Sequence, residues 1–182
     1  MINHLFAACL MLAAQTYAVP PQVLVGILHV EGGHIGQQVP NKNGSYDLGP
    51  MQINSLWVPE LAGNWRVSRE VAWKWLRDDG CTNVNVAAWI LRQHLTETGS
   101  LAKAVANYHS RTPSLGGKYK SKVVEVMRRK GLLAKAQTQP QPPSKGQPQA
   151  ASTMPAAQST TTPSGAKRFM LGRRDKDPED NG

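Results

Sequence analysis

The last 47 residues, Ala136 to Gly182, contain no Ile, Val or Trp. They hold seven of the 13 prolines and six glutamines, with Met154, Phe169, Met170 and Leu171 as the large apolar residues. Such a segment cannot bury enough apolar surface to offset the entropy of an ordered chain. It is expected to be a disordered tail. Its Gln/Pro-rich part leads to a Ser/Thr-rich run at residues 159–164 and then to a mixed-charge end from Lys167 to Asp180. Two uses fit this pattern, a plain tail or a linker carrying a docking segment. Anything with a core must come from residues 1–135, which is enough chain for one domain.

That domain carries most of the net charge of +9. The tail has six Lys+Arg against four Asp+Glu, and the domain has 15 against eight. A basic domain suits an anionic partner such as a cell-wall polymer, a membrane surface or nucleic acid. The charges are scattered, and the one run, Arg128-Arg129-Lys130, reads as a solvated helix end. With no recognition motif beside it, the charge does not make a nucleic-acid binder. No apolar run reaches the roughly 18 residues of a membrane span.

Apolar residues recur at helical spacing along the domain. Val23, Leu24, Ile27 and Leu28 mark a helix over 20–30, ended by Gly32-Gly33. Residues 51–61 are a short helix candidate, and 68–76 another, with Ser68 placed to cap it. Helices are also expected over 83–96, 100–108 and 119–129. Residues 37–47 are polar, with Asn43-Gly44 as a turn signal. No stretch alternates with period two, so the class is mostly α. Trp73, Trp75 and Trp89, at helical positions, are expected in the core.

Residues 5–14 are apolar and admit two readings. One is the centre of a signal peptide, although no Lys or Arg precedes it. The other is a retained, buried first helix ended by Val19-Pro20-Pro21, and this is the favoured one. Cys9 lies in this run and Cys81 far from it; they are either two buried thiols or one disulfide.

Three segments carry possible chemistry. Glu31 shares a helix face with Leu24, Ile27 and Leu28, so a carboxyl group closes an apolar stripe. Burial and the negative helix end both disfavour its charged form, which suits a proton donor near neutral pH. Gly49-Pro50-Met51-Gln52-Ile53-Asn54 sets amides beside core-like residues, where they can bind neutral hydroxyl and N-acetyl groups. Tyr108 closes an apolar helix face with a hydroxyl. Other patterns fail. His29, Glu31 and His34 lack the cysteine pair of a zinc deaminase and the spacing of a zinc-protease helix. Asn41-Lys42-Asn43-Gly44 lacks the acidic ligands of a calcium loop. No metal site and no cofactor is expected.

Val30-Glu31-Gly32-Gly33, Tyr46-Asp47-Leu48-Gly49-Pro50-Met51-Gln52-Ile53-Asn54 and Ala104-Val105-Ala106-Asn107-Tyr108 resemble, in order and spacing, the SLT-type lytic transglycosylases. They are most similar to the small members associated with conjugation, type IV secretion and pilus machines. The resemblance covers about residues 5–130 and implies a lysozyme-like fold. It implies that Glu31 is catalytic and that Gly49, Met51, Gln52 and Asn54 line the cleft beneath the glycan. Tyr108 would stand near the glutamate, and Tyr119 would match a second tyrosine. Cys9 and Cys81-Thr82-Asn83 resemble paired positions of that group, which implies the disulfide and the retained helix. Gly32 and His109 depart from the pattern, standing where many members have serine and asparagine.

The implied reaction cleaves the MurNAc–GlcNAc β-1,4 bond of peptidoglycan without water and forms a 1,6-anhydro product. It needs one carboxyl group where an ordinary glycosidase needs two. Asp47 is the nearest rival carboxylate and reads as a loop residue. A hydrolytic muramidase and a non-catalytic wall-binding subunit are the alternatives. The implied location is the periplasm. The implied partners are glycan strands and, through the tail, components of a secretion, conjugation or pilus apparatus.

Overall fold

A computed structural model describes residues 4–133. The tail from Ala136 to Gly182 lies outside the described residues. Seven helices and a small sheet follow in chain order: α1 (His4–Thr16), α2 (Pro21–Glu31), β1 (Gln38–Pro40), β2 (Tyr46–Leu48), β3 (Ile53–Asn54), α3 (Val58–Trp65), α4 (Arg69–Asp78), α5 (Gly80–Thr98), α6 (Leu101–His109) and α7 (Pro113–Arg129). The mostly α class holds. Among the described residues, no helix is long and apolar enough to cross a membrane.

The longest helix, α5, is the axis of the core. It packs against α1, α4 and α6. Val84, Val86, Ala87, Ala88, Ile90 and Leu91 are all buried along it, so it is apolar on nearly every side. Its start is set by Asp79, whose carboxylate accepts from Thr82 N–H, and its end by left-handed Gly99. Ser68 and Ser100 cap α4 and α6 in the same way, each accepting an N–H three residues on.

The apolar segment near the start of the chain forms α1. Leu10, Ala13 and Ala14 join the core, and Cys9 is disulfide-bonded to Cys81 at the start of α5. The disulfide implied by the resemblance is present.

Three expectations need correction. Residues 38–54 hold a three-stranded antiparallel sheet, order β1-β2-β3, with Val39 opposite Asp47 and Leu48 opposite Ile53. Strands of two or three residues are too short to show alternation. Side chains hold this region instead. Asn43 Oδ1 accepts from both the N–H and the hydroxyl of Ser45 across the Gly44 turn.

The helix expected over 51–61 begins only at Val58. Met51-Gln52 is a turn, with Gln52 at φ 49°, followed by β3 and a 3-10 turn at Ser55–Trp57. Pro59 lacks an N–H and fits the first turn of α3 rather than its interior. Finally, Trp75 is 41% exposed, whereas Trp73 and Trp89 pack against the core. The remaining helices differ from expectation at their ends. The largest shift is in α7, which starts at Pro113, across the weak helix formers Gly116 and Gly117.

Candidate active site

Glu31 is the last residue of α2. Leu24, Ile27 and Leu28 on the same face are buried, so the stripe read from the sequence does carry the carboxyl group to the edge of the core. Gly32 follows at φ 62° and returns its N–H to Leu28 O at 3.0 Å. This left-handed cap ends the helix directly after the glutamate.

The partner of Glu31 comes from α7. The Tyr119 hydroxyl donates to Glu31 Oε1 at 2.5 Å, across 88 residues of sequence. Close packing of the two helices makes this possible. A Cβ on Gly26 of α2 would lie 2.7 Å from Met127 Cγ and 3.2 Å from Val123 Cγ1. Running from Gly26 to Glu31 therefore means running back along α7 from Met127 to Tyr119, an antiparallel pair.

Tyr119 is buried. Burial raises its hydroxyl pKa far above the ordinary value, and the charge of Glu31, Tyr108 and the bond to Glu31 add to this. The phenol therefore stays protonated and donates. Tyr108 is buried as well, and its pKa is raised by burial first and then by the charges of Glu31 and Asp47. Its hydroxyl donates to Met51 O at 3.0 Å. The Tyr108 ring lies 6.4 Å from Tyr119 and nearly parallel to it. The exposed His109 imidazole lies flat against Tyr119, 4.8 Å away with 9° between the planes.

The Gly49–Asn54 segment meets the Glu31 turn directly. A Cβ on Gly33 would collide with Gly49 O and lie 2.6 Å from Gln52 Nε2. Gly49 sits at φ 67°, and a Cβ there would lie 2.6 Å from both Asn83 Nδ2 and Leu76 O. Only glycine fits. Gln52, at φ 49°, folds its amide back to donate to Gly49 O at 2.7 Å. Such backbone strain persists only where surrounding contacts hold it, and it gathers at functional sites.

The other two residues of the motif are turned inward. Met51 is fully buried, and its N–H donates to Asn83 Oδ1 at 2.7 Å. Asn54 is also buried. Its Nδ2 donates to Ser45 Oγ at 3.0 Å and Asp47 Oδ1 at 2.9 Å, while its Oδ1 accepts from Leu56 N–H. These two side chains build the turn from within. Asp47 stands in β2, held by Asn54, and not in a loop.

Two supporting residues were not singled out for these roles from the sequence. Asn83 is fully buried and donates to Leu48 O at 2.9 Å and Leu76 O at 2.8 Å besides accepting from Met51. It thereby ties α4 and α5 to the motif turn. The signal was present: Asn83 shares a helix face with Ala87, Ile90 and Leu91, and a polar group on such a face must find partners. Gly33, a helix stop by its sequence, is the point where the two turns touch.

The site therefore joins one carboxyl group, one protonated phenol bound to it, and an amide-bearing turn wedged against the glutamate loop. A group able to give and then take one proton, beside hydrogen-bonding groups for a neutral sugar, suits glycosidic bond cleavage that runs on a single carboxyl group.

Comparison with known proteins agrees. The model of the transglycosylase SLT domain matches residues 8–122. The chain is 31% identical to the invasion protein IagB of Salmonella typhimurium, over 73% of this chain and 84% of that protein. It is 27% identical to a peptidoglycan-binding-like protein of Escherichia coli O157:H7, over 57% of this chain and 64% of that protein. SLT domains are lytic transglycosylases acting on peptidoglycan. The matched span takes in all three sequence motifs, both cysteines and Tyr119, and the chain belongs to the transglycosylase SLT domain family.

Proposed function

We propose that this chain cleaves the β-1,4 bond between MurNAc and GlcNAc in peptidoglycan without water, leaving 1,6-anhydro-MurNAc. The contact between Tyr119 and Glu31 carries the reading, because it fixes one carboxyl group at the meeting of the two motif turns. Protonated Glu31 gives its proton to the glycosidic oxygen as the bond from MurNAc C1 breaks. The GlcNAc leaves with a free hydroxyl. Glu31, now a carboxylate, takes the proton of the MurNAc C6 hydroxyl as that oxygen bonds to C1. The acid is regenerated, and no water is consumed. Tyr119 keeps its own proton throughout and holds Oε1 by donating to it. Gln52, half-buried beside Gly33, and the Gly49–Asn54 turn form the floor on which the sugar rests.

The net charge of +9 suits an anionic wall. Similarity to an invasion protein supports a role in opening the wall locally for an envelope-spanning secretion, conjugation or pilus machine, with the periplasm as the place of action. The tail, at residues 136–182, would then be the segment that meets the machine.

The test is a digest of purified peptidoglycan by the full chain, wild type beside Glu31→Gln, with mass spectrometry of the muropeptides. Products lighter by one water than hydrolytic ones, absent with Glu31→Gln, are expected. Reducing-end products would make the protein a muramidase and direct attention to Asp47. Equal, low lysis by both proteins would favour a wall-binding subunit.

A further inference from the structure

A second feature of the molecule lies outside the catalytic turn. Trp65, Trp75, Cys81, Thr82 and Asn85 line an open pocket of about 340 Å³. The two indoles are 5.6 Å apart and tilted by 50°. Trp75 is 41% exposed, and Val71, one helical turn before it, is 37% exposed. Together they leave apolar surface exposed along one side of α4.

The place of this pocket follows from α5. Asn83 points inward to Met51, Leu48 and Leu76. Cys81 and Asn85 each lie two positions from Asn83, about 200° around the helix, and share the opposite face. The pocket therefore opens behind the first turn of α5, away from the catalytic motif. Its walls are fixed. Cys81 is tied to Cys9 by the disulfide. Asn85 Oδ1 accepts the Tyr17 hydroxyl at 3.0 Å, which sets the orientation of the amide.

None of the five lining residues carries a charge, although the chain is strongly basic. The pocket is lined by two indoles, an amide and a hydroxyl. Indole faces pack against the C–H face of a pyranose ring, while the amide and hydroxyl match its hydroxyl and acetamido groups. The volume falls in the range of small-ligand sites. We propose that this pocket is a second glycan-binding site, which holds an uncharged N-acetylhexosamine of the wall polymer while the Glu31 site acts elsewhere on the glycan. The choice of sugar rests on the peptidoglycan reading above; the position of the pocket does not.

The probe is chitotetraose, added to the full-length Glu31→Gln protein and followed by NMR of the indole and amide N–H signals. Trp65 and Trp75 are expected to shift and saturate below about 10 mM sugar, with a dissociation constant different from that of the signals near Gln52. Trp75→Ala or Thr82→Val should weaken this second binding about fivefold or more, roughly the value of one stacking or hydrogen-bonding contact, and leave the Gln52 signals unchanged. In the wild-type background the same two variants should act normally on short soluble glycans and about fivefold more slowly on insoluble sacculi. Shifts confined to the Gln52 region, or unchanged sacculus turnover in both variants, would overturn the second site while leaving the proposed activity standing. Shifts in neither region, together with no cleavage by the wild type, would count against both.

Discussion

Tyr119 Oη lies 2.5 Å from Glu31 Oε1 and joins the end of α2 to the first half of α7. The carboxyl group is therefore not left at a fraying helix end. Its position depends on a second helix, and that dependence can be measured.

Tyr119→Phe keeps the ring against Tyr108 and His109 and removes the hydroxyl. A hydrogen bond to a charged group contributes about 1.5–3 kcal/mol. The turnover number is expected to fall about 10- to 100-fold, with a smaller change in KM, because the proposed sugar floor at Gln52 is untouched. Steady-state turnover of soluble glycan by the two proteins checks this. An unchanged turnover number would remove Tyr119 from the mechanism.

The two glycines after Glu31 should behave differently. A Cβ on Gly32 meets nothing within 4 Å, and its φ of +62° alone is unfavourable. Gly32→Ser should cost about 1 kcal/mol in urea unfolding and keep most activity. A Cβ on Gly33 runs into the backbone carbonyls of Gly49 and Pro50. Gly33→Ala must part the Glu31 turn from the Gly49–Asn54 turn and should lower activity well beyond its effect on stability. Equal behaviour of the two variants would contradict the packing described.

The Cys9–Cys81 bond spans 72 residues of sequence. Closing a loop of that size in the unfolded chain stabilises the fold by about 4 kcal/mol in the chain-entropy view. The double variant Cys9→Ser with Cys81→Ser should unfold at a markedly lower urea midpoint than the oxidised protein. Adding reductant should lower the wild-type midpoint and leave the double variant unmoved.

Alkali should unfold the protein in a way that reports on the two site tyrosines. Both have folded-state pKa values raised above the ordinary value of 10.0. Below pH 10 they are protonated in the folded and unfolded chain alike, and stability is full. Above pH 10 the unfolded chain releases their protons and the folded chain does not, so stability falls as pH rises. Each tyrosine adds a slope of about 1.4 kcal/mol per pH unit. Tyr119→Phe should make the decline between pH 10 and 11 shallower in thermal unfolding scans.

Much of this architecture is legible in the chain because helices announce themselves locally. Leu24, Ile27 and Leu28 give the buried face of α2, and Ser68 and Gly32 mark helix ends by the chemistry of caps. The sheet is not legible, since its strands are too short for a period and are held by Asn43, Ser45 and Asn54. Residues 51–57 mislead for a related reason. Their apolar spacing resembles a helix, while the left-handed Gln52 and the buried amide of Asn83 impose a turn. The site itself depends on contacts between distant segments, such as Glu31 with Tyr119 and Met51 with Asn83, that no local pattern states. The likeness to a family names Glu31, Tyr108 and Tyr119 and sets Tyr108 near the glutamate; that the hydrogen bond to Glu31 comes from Tyr119 is visible only in the fold.

The central claim is that one carboxyl group cleaves the glycan without water. Digestion of peptidoglycan by the full chain in water enriched in oxygen-18 tests it most directly. Muropeptides that carry no heavy oxygen at the new MurNAc end and are lighter by one water than hydrolytic products are expected. One heavy oxygen at C1 of each new end would contradict it and make the enzyme a hydrolase.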